Sequence, residues 1–289
     1  MPKINLRHKV QKTYLCFRLN LYSSRLFHDF MGKKLIFCNC GANLISADRL
    51  NAISEYLQQT GNQFVQISDL CGSSVARKSE TNELFVSTDE VLIIACFPRA
   101  VKLLLENCGV DYHSMNIKHL NFRELENSAI FTEIDLFLEE TATKGDAAEI
   151  QCTTDWPSWF PVIDYARCTA CGQCADFCLF GVYEKIDNKV VVVNPHGCKN
   201  NCPACGRICP QTAIVFPKYE QGGAIAGADT IDEMAEQQRQ KHDIDTILGS
   251  NIYKALEMRK AKRKSIIHSE AMRKAMEERE KARGEAEQR

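Results

Sequence analysis

The sequence predicts an α/β domain with a mostly parallel sheet, followed by a small cysteine-rich α+β domain and a helical C-terminal tail. Three observations carry this. Short apolar runs alternate with amphipathic segments between residues 34 and 140, the pattern of strands joined by helices that cover a parallel sheet. Eight of the fifteen cysteines fall between Cys168 and Cys209, in two groups of four. Beyond about residue 220 the composition changes, and from about residue 251 it is rich in Ala, Glu, Lys, Arg and Met with sparse apolar positions. The 289 residues suffice for two domains.

Residues 1–33 carry Lys3, Arg7, Lys9, Lys12, Arg18 and Arg25 among scattered apolar residues, with no small-residue cleavage site. They read as non-globular and unlike a secretory signal. Met31, just before the first strand, is then the expected start of the protein. In 34–140 a first buried strand covers 35–38, followed by a turn at Cys40-Gly41. Ser46 caps a helix to about residue 59, with Leu50, Ile53 and Leu57 at helical spacing and Gly61 beyond its end. Residues 64–67 form a second strand, 91–96 a third, and 101–107 a helix closed by Gly109. The stretch 119–140 reads as one further helix, with Phe131, Ile134 and Leu138 on its apolar face, and the polar 141–155 as an interdomain linker.

The second domain, 156–219, opens on Trp156-Pro157-Ser158-Trp159-Phe160-Pro161. Large aromatics there would shield a site or interdomain surface, or dock a partner. Cys168, Cys171, Cys174 and Cys178 follow, and then Cys198, Cys202, Cys205 and Cys209. Three thiolates two residues apart can converge on one [4Fe-4S] cluster, and the fourth, three residues on, ligates the other cluster. The spacing therefore predicts Cys168, Cys171, Cys174 and Cys209 around one cluster, and Cys178, Cys198, Cys202 and Cys205 around the other. Zinc wants its ligands in two pairs and fits two successive four-cysteine runs poorly. Disulfides need an oxidising compartment that nothing here indicates. Between the runs, Asp187-Asn188 marks a tight turn in a hairpin, and residues 214–217 return as a strand. His196 is read as a turn histidine, with replacement of a cysteine ligand as the alternative.

Residues 160–217 resemble the bacterial-type two-cluster ferredoxin domain, through the full cysteine pattern and Cys209-Pro210-Gln211-Thr212-Ala213-Ile214. The resemblance implies a pseudo-symmetric ferredoxin-like fold with two hairpins and two short helices, carrying one electron at a time. Leu179-Phe180-Gly181-Val182 stands where the family has Pro, and Lys199-Asn200-Asn201 lengthens the opening of the second run by one residue. That insertion leaves a three-iron or labile second cluster as an alternative.

In the first domain Cys40, Cys71 and Cys96 each lie at or just past the carboxyl end of a predicted strand, the edge where open α/β sheets bind ligands. They are candidates for a third iron–sulfur cluster or another cofactor, with Cys38 or Cys108 as a fourth ligand; the alternative is that they are small buried hydrophobes. The motifs C-N-C-G, D-L-C-G and I-I-A-C-F-P-R over 34–108 resemble the N-terminal segment of the flavin-binding subunit of heterodisulfide reductase, with Phe97 replacing a Ser. The resemblance implies an electron-bifurcation-related module without its flavin, since no G-x-G-x-x-G follows a strand.

Residues 220–289 begin with a Gly-rich stretch, 221–227, read as a flexible hinge, and continue as a charged helix starting within 229–240. A solvated helix laced with charge pairs is expected, with a partner-binding helix as the alternative. The formal net charge of −1 and the absence of aromatics among the basic residues of the tail speak against nucleic acid. No apolar run approaches the about twenty residues of a membrane span. The expected location is the cytoplasm.

The chain is thus expected to be an iron–sulfur electron-transfer protein, a subunit or partner of a larger redox complex such as a flavoprotein or heterodisulfide-reductase-like assembly. One alternative is a redox enzyme subunit with a further cofactor in the α/β domain. Another is a scaffold or sensor with structural clusters. No hydrolytic or nucleotide-binding motif is present.

Overall fold

A computed structural model describes residues 32–248 and 258, apart from 41, 43, 87, 140–143, 146 and 153–155. The expectations for residues 1–31, including the start at Met31, and for the tail beyond 248 lie outside the described residues.

Strand β1 (Gly32–Cys38) is followed by α1 (Ala47–Gln59), β2 (Val65–Ile67), α2 (Leu70–Ala76), α3 (Lys78–Glu83), β3 (Thr88–Ala95), α4 (Pro98–Asn107), β4 (Asn116–Asn121), α5 (Asn127–Glu139) and β5 (Ala148–Ile150). The five strands form one sheet, ordered β4-β3-β1-β2-β5, with every pairing parallel. Ile36, Phe37 and Val91 to Ala95 are all buried because helices cover both faces of the central strands, which is why these stretches are apolar without alternation. Leu50, Ile53 and Leu57 turn one face of α1 to the sheet, and Ser46 Oγ accepts from Arg49 N at its start. Pro98 opens α4, where its missing N–H costs nothing.

Two expectations for the first unit and its linker are corrected here. The single helix over 119–140 divides: Asn116–Asn121 is edge strand β4, and the helix begins only at Asn127. Period-two alternation explains this, with Ile117 and His119 turned inward and Asn116 and Lys118 exposed. The linker 141–155 also contains a strand. Residues 148–150 pair with 65–67, satisfying the backbone of β2 on its open side. Three residues are too few to show periodicity in a sequence.

The second unit contains β6 (Val162–Ile163), α6 (Gln173–Phe177), β7 (Tyr183–Ile186), β8 (Lys189–Val192), α7 (Ala204–Arg207), β9 (Ile214–Val215), α8 (Gly223–Ala226) and α9 (Glu233–Leu248). β7 and β8 form the expected hairpin, with Asp187 (φ 47°) and Asn188 (φ 59°) both left-handed in the turn. β9 pairs antiparallel with β6.

The two units share a core, in which Phe160, Val162, Val215 and Ala226 join the sheet residues. Arg99 of α4 crosses the junction to Asp164 (2.7 Å), the Thr212 carbonyl (2.7 Å) and the Ala224 carbonyl (3.2 Å). The stretch 221–227, expected as a hinge, packs at its C-terminal end. Ala224, Ile225 and Ala226 are buried, and Ile225 accepts from Phe216 N at 2.7 Å. Its small residues serve close packing: a Cβ on Gly227 (φ 99°) would lie 2.7 Å from Ala100 N. α9 packs back as well, with Gln240 Nε2 donating to the Cys209 carbonyl (2.8 Å) and to Thr212 Oγ1 (3.1 Å).

Candidate metal centre

The short helices of the second unit divide the cysteines between two cavities. Cys174 lies in α6 and Cys178 ends it; Cys205 lies in α7 and Cys209 follows it by the same step of four. Each helix thus sends one thiol to either cavity. The first cavity is lined by Cys168, Cys171, Cys174 and Cys209. Cys178, Cys198, Cys202 and Cys205 line the second, with apolar Pro161, Phe177, Leu179, Phe180 and Val182.

The loops leading into the helices are alike despite the inserted residue. Ala170 (φ 55°) and Asn201 (φ 56°) each stand in the left-handed region immediately before the second cysteine of their run. Asn tolerates that conformation better than most residues. The longer loop takes up its extra residue in a turn closed by Cys202 N to Lys199 O (3.1 Å), and Cys198 still reaches the cavity wall.

Burial dominates the acidity of these thiols. It pushes Cys174 and Cys198 up to about 12, and it raises Cys205 and Cys209 as well. Such thiols keep their protons in an apolar wall and give them up to a cation. Two sulfurs already have donors: Tyr183 Oη lies 3.0 Å from Cys205 Sγ, and Ala213 N lies 3.3 Å from Cys209 Sγ. Trp159 stacks on Phe216 at 5.1 Å in the same apolar cluster as Cys174, Cys205 and Cys209, and its buried indole N–H has no protein acceptor.

Four soft sulfur ligands per cavity fit an iron–sulfur cluster. Among the described residues no three His, Cys, Asp or Glu side chains close on a point as they would around a single ion. The second cavity has space as well as sulfur, about 370 Å³, whereas the first is drawn down to about 20 Å³ and its fit rests on its donor set. Trp156 stacks on Phe160 (5.4 Å) and meets exposed His196 in a tilted ring contact (4.2 Å), so the aromatic segment covers this side of the unit; His196 is not among the residues lining either cavity.

At the carboxyl edge of the parallel sheet, Cys40 follows β1, Cys71 sits in the first turn of α2 after β2, and Cys96 follows β3. The chain leaves β1 toward β2 on one side and returns to β3 on the other, so Cys40 and Cys96 flank the topological switch point. The three thiols interact. A hydrogen bond with Cys38, then burial, raises Cys40; burial, with smaller contributions from its neighbours, raises Cys71 and pushes Cys96 up to about 12. Lys218 Nζ reaches this edge from the second unit, 2.8 Å from Asp69 Oδ2, while the other oxygen of Asp69 is buried without a partner.

Cys152 is the residue that sequence reasoning missed. It follows β5 by two residues, its N–H donates to Ser68 Oγ at 2.7 Å, and its sulfur packs on α2 so closely that a Cβ on Gly72 would lie 2.9 Å from it. The available signal was a cysteine just past a strand end, hidden because the strand was read as linker. Cys108 is not brought to this group. It ends α4, which runs back from the edge, and its thiol faces the Ser74 carbonyl at 3.8 Å. Cys38 lies within the group only through Cys40, buried at the end of β1.

A family profile described as a 4Fe-4S dicluster domain matches residues 160–241. That range takes in both cavities and most of α9. An uncharacterized ferredoxin of Methanocaldococcus jannaschii is 49% identical over 61 residues, which are 21% of this chain and 42% of that protein's length. The chain therefore covers less than half of this relative. It carries a ferredoxin-type 4Fe-4S domain, and no helix among the described residues is long and apolar enough to cross a membrane.

Proposed function

We propose that this chain is a one-electron relay holding two [4Fe-4S] clusters, one on Cys168, Cys171, Cys174 and Cys209 and the other on Cys178, Cys198, Cys202 and Cys205. The observation that carries the reading is the exchange of Cys178 and Cys209 between two four-cysteine cavities. Each bound cluster supplies a site that takes up and releases one electron. The chain's residues orient the thiolates, donate to sulfur from Tyr183 and Ala213, and exclude water with Trp159, Phe177 and Val182. Iron and acid-labile sulfide on anaerobically purified protein, with EPR before and after reduction, test this. About eight irons per chain are expected on that ligand count; zinc in their place refutes it.

The fixed junction with the α/β unit supports a role as a subunit or partner of a larger redox complex, with a flavoprotein or a heterodisulfide-reductase-like assembly as donor or acceptor. A second reading adds a further cluster or cofactor at the sheet edge. The gathering of Cys40, Cys71, Cys96 and Cys152 around Asp69 and Lys218 favours it. About twelve irons per chain would distinguish it from the first reading, by one more four-iron cluster.

A further inference from the structure

The two cavities differ in how their sulfurs are supported. In the first, the sulfur of Cys209 receives a backbone N–H from Ala213, a contact that side-chain choice does not set. In the second, the donor is a side chain. Tyr183 opens β7 and is 8% exposed, and its hydroxyl lies 3.0 Å from Cys205 Sγ. Pro161, Phe177, Leu179, Phe180 and Val182 make the rest of that wall largely apolar. The hydroxyl is a directed dipole in surroundings that otherwise disfavour added negative charge.

We propose that Tyr183 tunes the reduction potential of the cluster held by Cys178, Cys198, Cys202 and Cys205, setting it apart from that of the other cluster. The inference rests on the two-cluster reading above. Reduction adds negative charge, part of which falls on the thiolate sulfurs. An O–H donor at Cys205 strengthens as that charge grows, so it favours the reduced state and raises the potential. The apolar wall acts in the opposite sense. Hydrogen bonds to sulfur and burial are two of the levers by which a protein adjusts such clusters, and here they oppose each other at one ligand. Tyr183 reaches the cluster through Cys205, so it is a positioning residue whose effect belongs to one potential of the two.

The test is an EPR-monitored redox titration of the full chain, purified anaerobically, with iron and sulfide counted on each sample. Tyr183→Phe keeps the ring and removes only the donor. In this variant one midpoint potential is expected to fall by about 59 mV, a tenfold loss in the reduced-to-oxidised ratio for a one-electron couple, with the other unchanged. Replacing Tyr183 by 3-fluorotyrosine, a stronger donor of nearly the same shape, should move the same potential upward. Eight irons with both potentials unmoved, or moved equally, overturn the proposal and leave the two-cluster reading standing. Loss of four irons from Tyr183→Phe also overturns it, since the hydroxyl would then hold the cluster rather than tune it. Fewer than eight irons in the wild-type chain overturn both.

Discussion

Replacing Arg99 by Met should uncouple the two units. Arg99 is 8% exposed, and its guanidinium donates to Asp164 Oδ2 at 2.7 Å, to the Thr212 carbonyl at 2.7 Å and to the Ala224 carbonyl at 3.2 Å. Met keeps most of the apolar stem and removes all three bonds. Asp164, whose side chain is 12% exposed, is left with the backbone N–H of Ala166 at 3.1 Å and no cation. Removing one partner of a buried pair costs about 3–5 kcal/mol, against a total of about 5–15 kcal/mol for a typical domain. Anaerobic urea denaturation, followed by far-UV CD and by the visible absorbance of the clusters, measures it. Both midpoints should fall, because Thr212 lies three residues past Cys209 and shares its turn through Thr212 N to Cys209 O at 3.1 Å. The double variant Arg99→Met/Asp164→Asn should recover about 1–2 kcal/mol, since no charge is then stranded. A loss below about 1 kcal/mol, or a double variant no better than the single, would refute the view that this pair carries the junction.

The remaining predictions concern the cysteines and one glycine. Cys171→Ala and Cys205→Ala should each leave about four irons per chain and lower the melting temperature, because metal binding is part of the folding energy of such units. Iron analysis of Cys198→Ala decides its assignment: about eight irons remaining would show that the lengthened loop does not deliver a ligand. Cys40→Ala combined with Cys71→Ala, and Cys152→Ala alone, should each remove about four of twelve irons if the sheet edge holds a cluster. An unchanged count would make these cysteines core residues. Gly227→Ala should destabilise by about 1–3 kcal/mol in thermal melts, from its left-handed φ of 99° and the 2.7 Å approach to Ala100 N. A change of a few tenths would show that α8 can shift away from α4.

The cysteine spacing by itself carried the reading of two sets of four, because local chain geometry decides which thiols can share a cluster and which must point away. Contiguous residues likewise marked the buried strands at 35–38 and 91–96, the cap at Ser46 and the hairpin at Asp187-Asn188. Even the motif Cys96-Phe97-Pro98-Arg99 was legible as a motif, although not the task of its arginine. Only the tertiary structure shows Arg99 spanning to Asp164, Thr212 and Ala224, at separations of 65, 113 and 125 residues. It alone placed β5 beside β2, which brought Cys152 to the sheet edge, and carried Lys218 across to Asp69. It also buried the end of the glycine-rich 221–227 against the first unit. The physical reason is common to all of these. A three-residue edge strand, a glycine in close contact and a buried ion pair draw their stability from partners distant in the chain, and a linear pattern records no trace of a partner until folding brings it near.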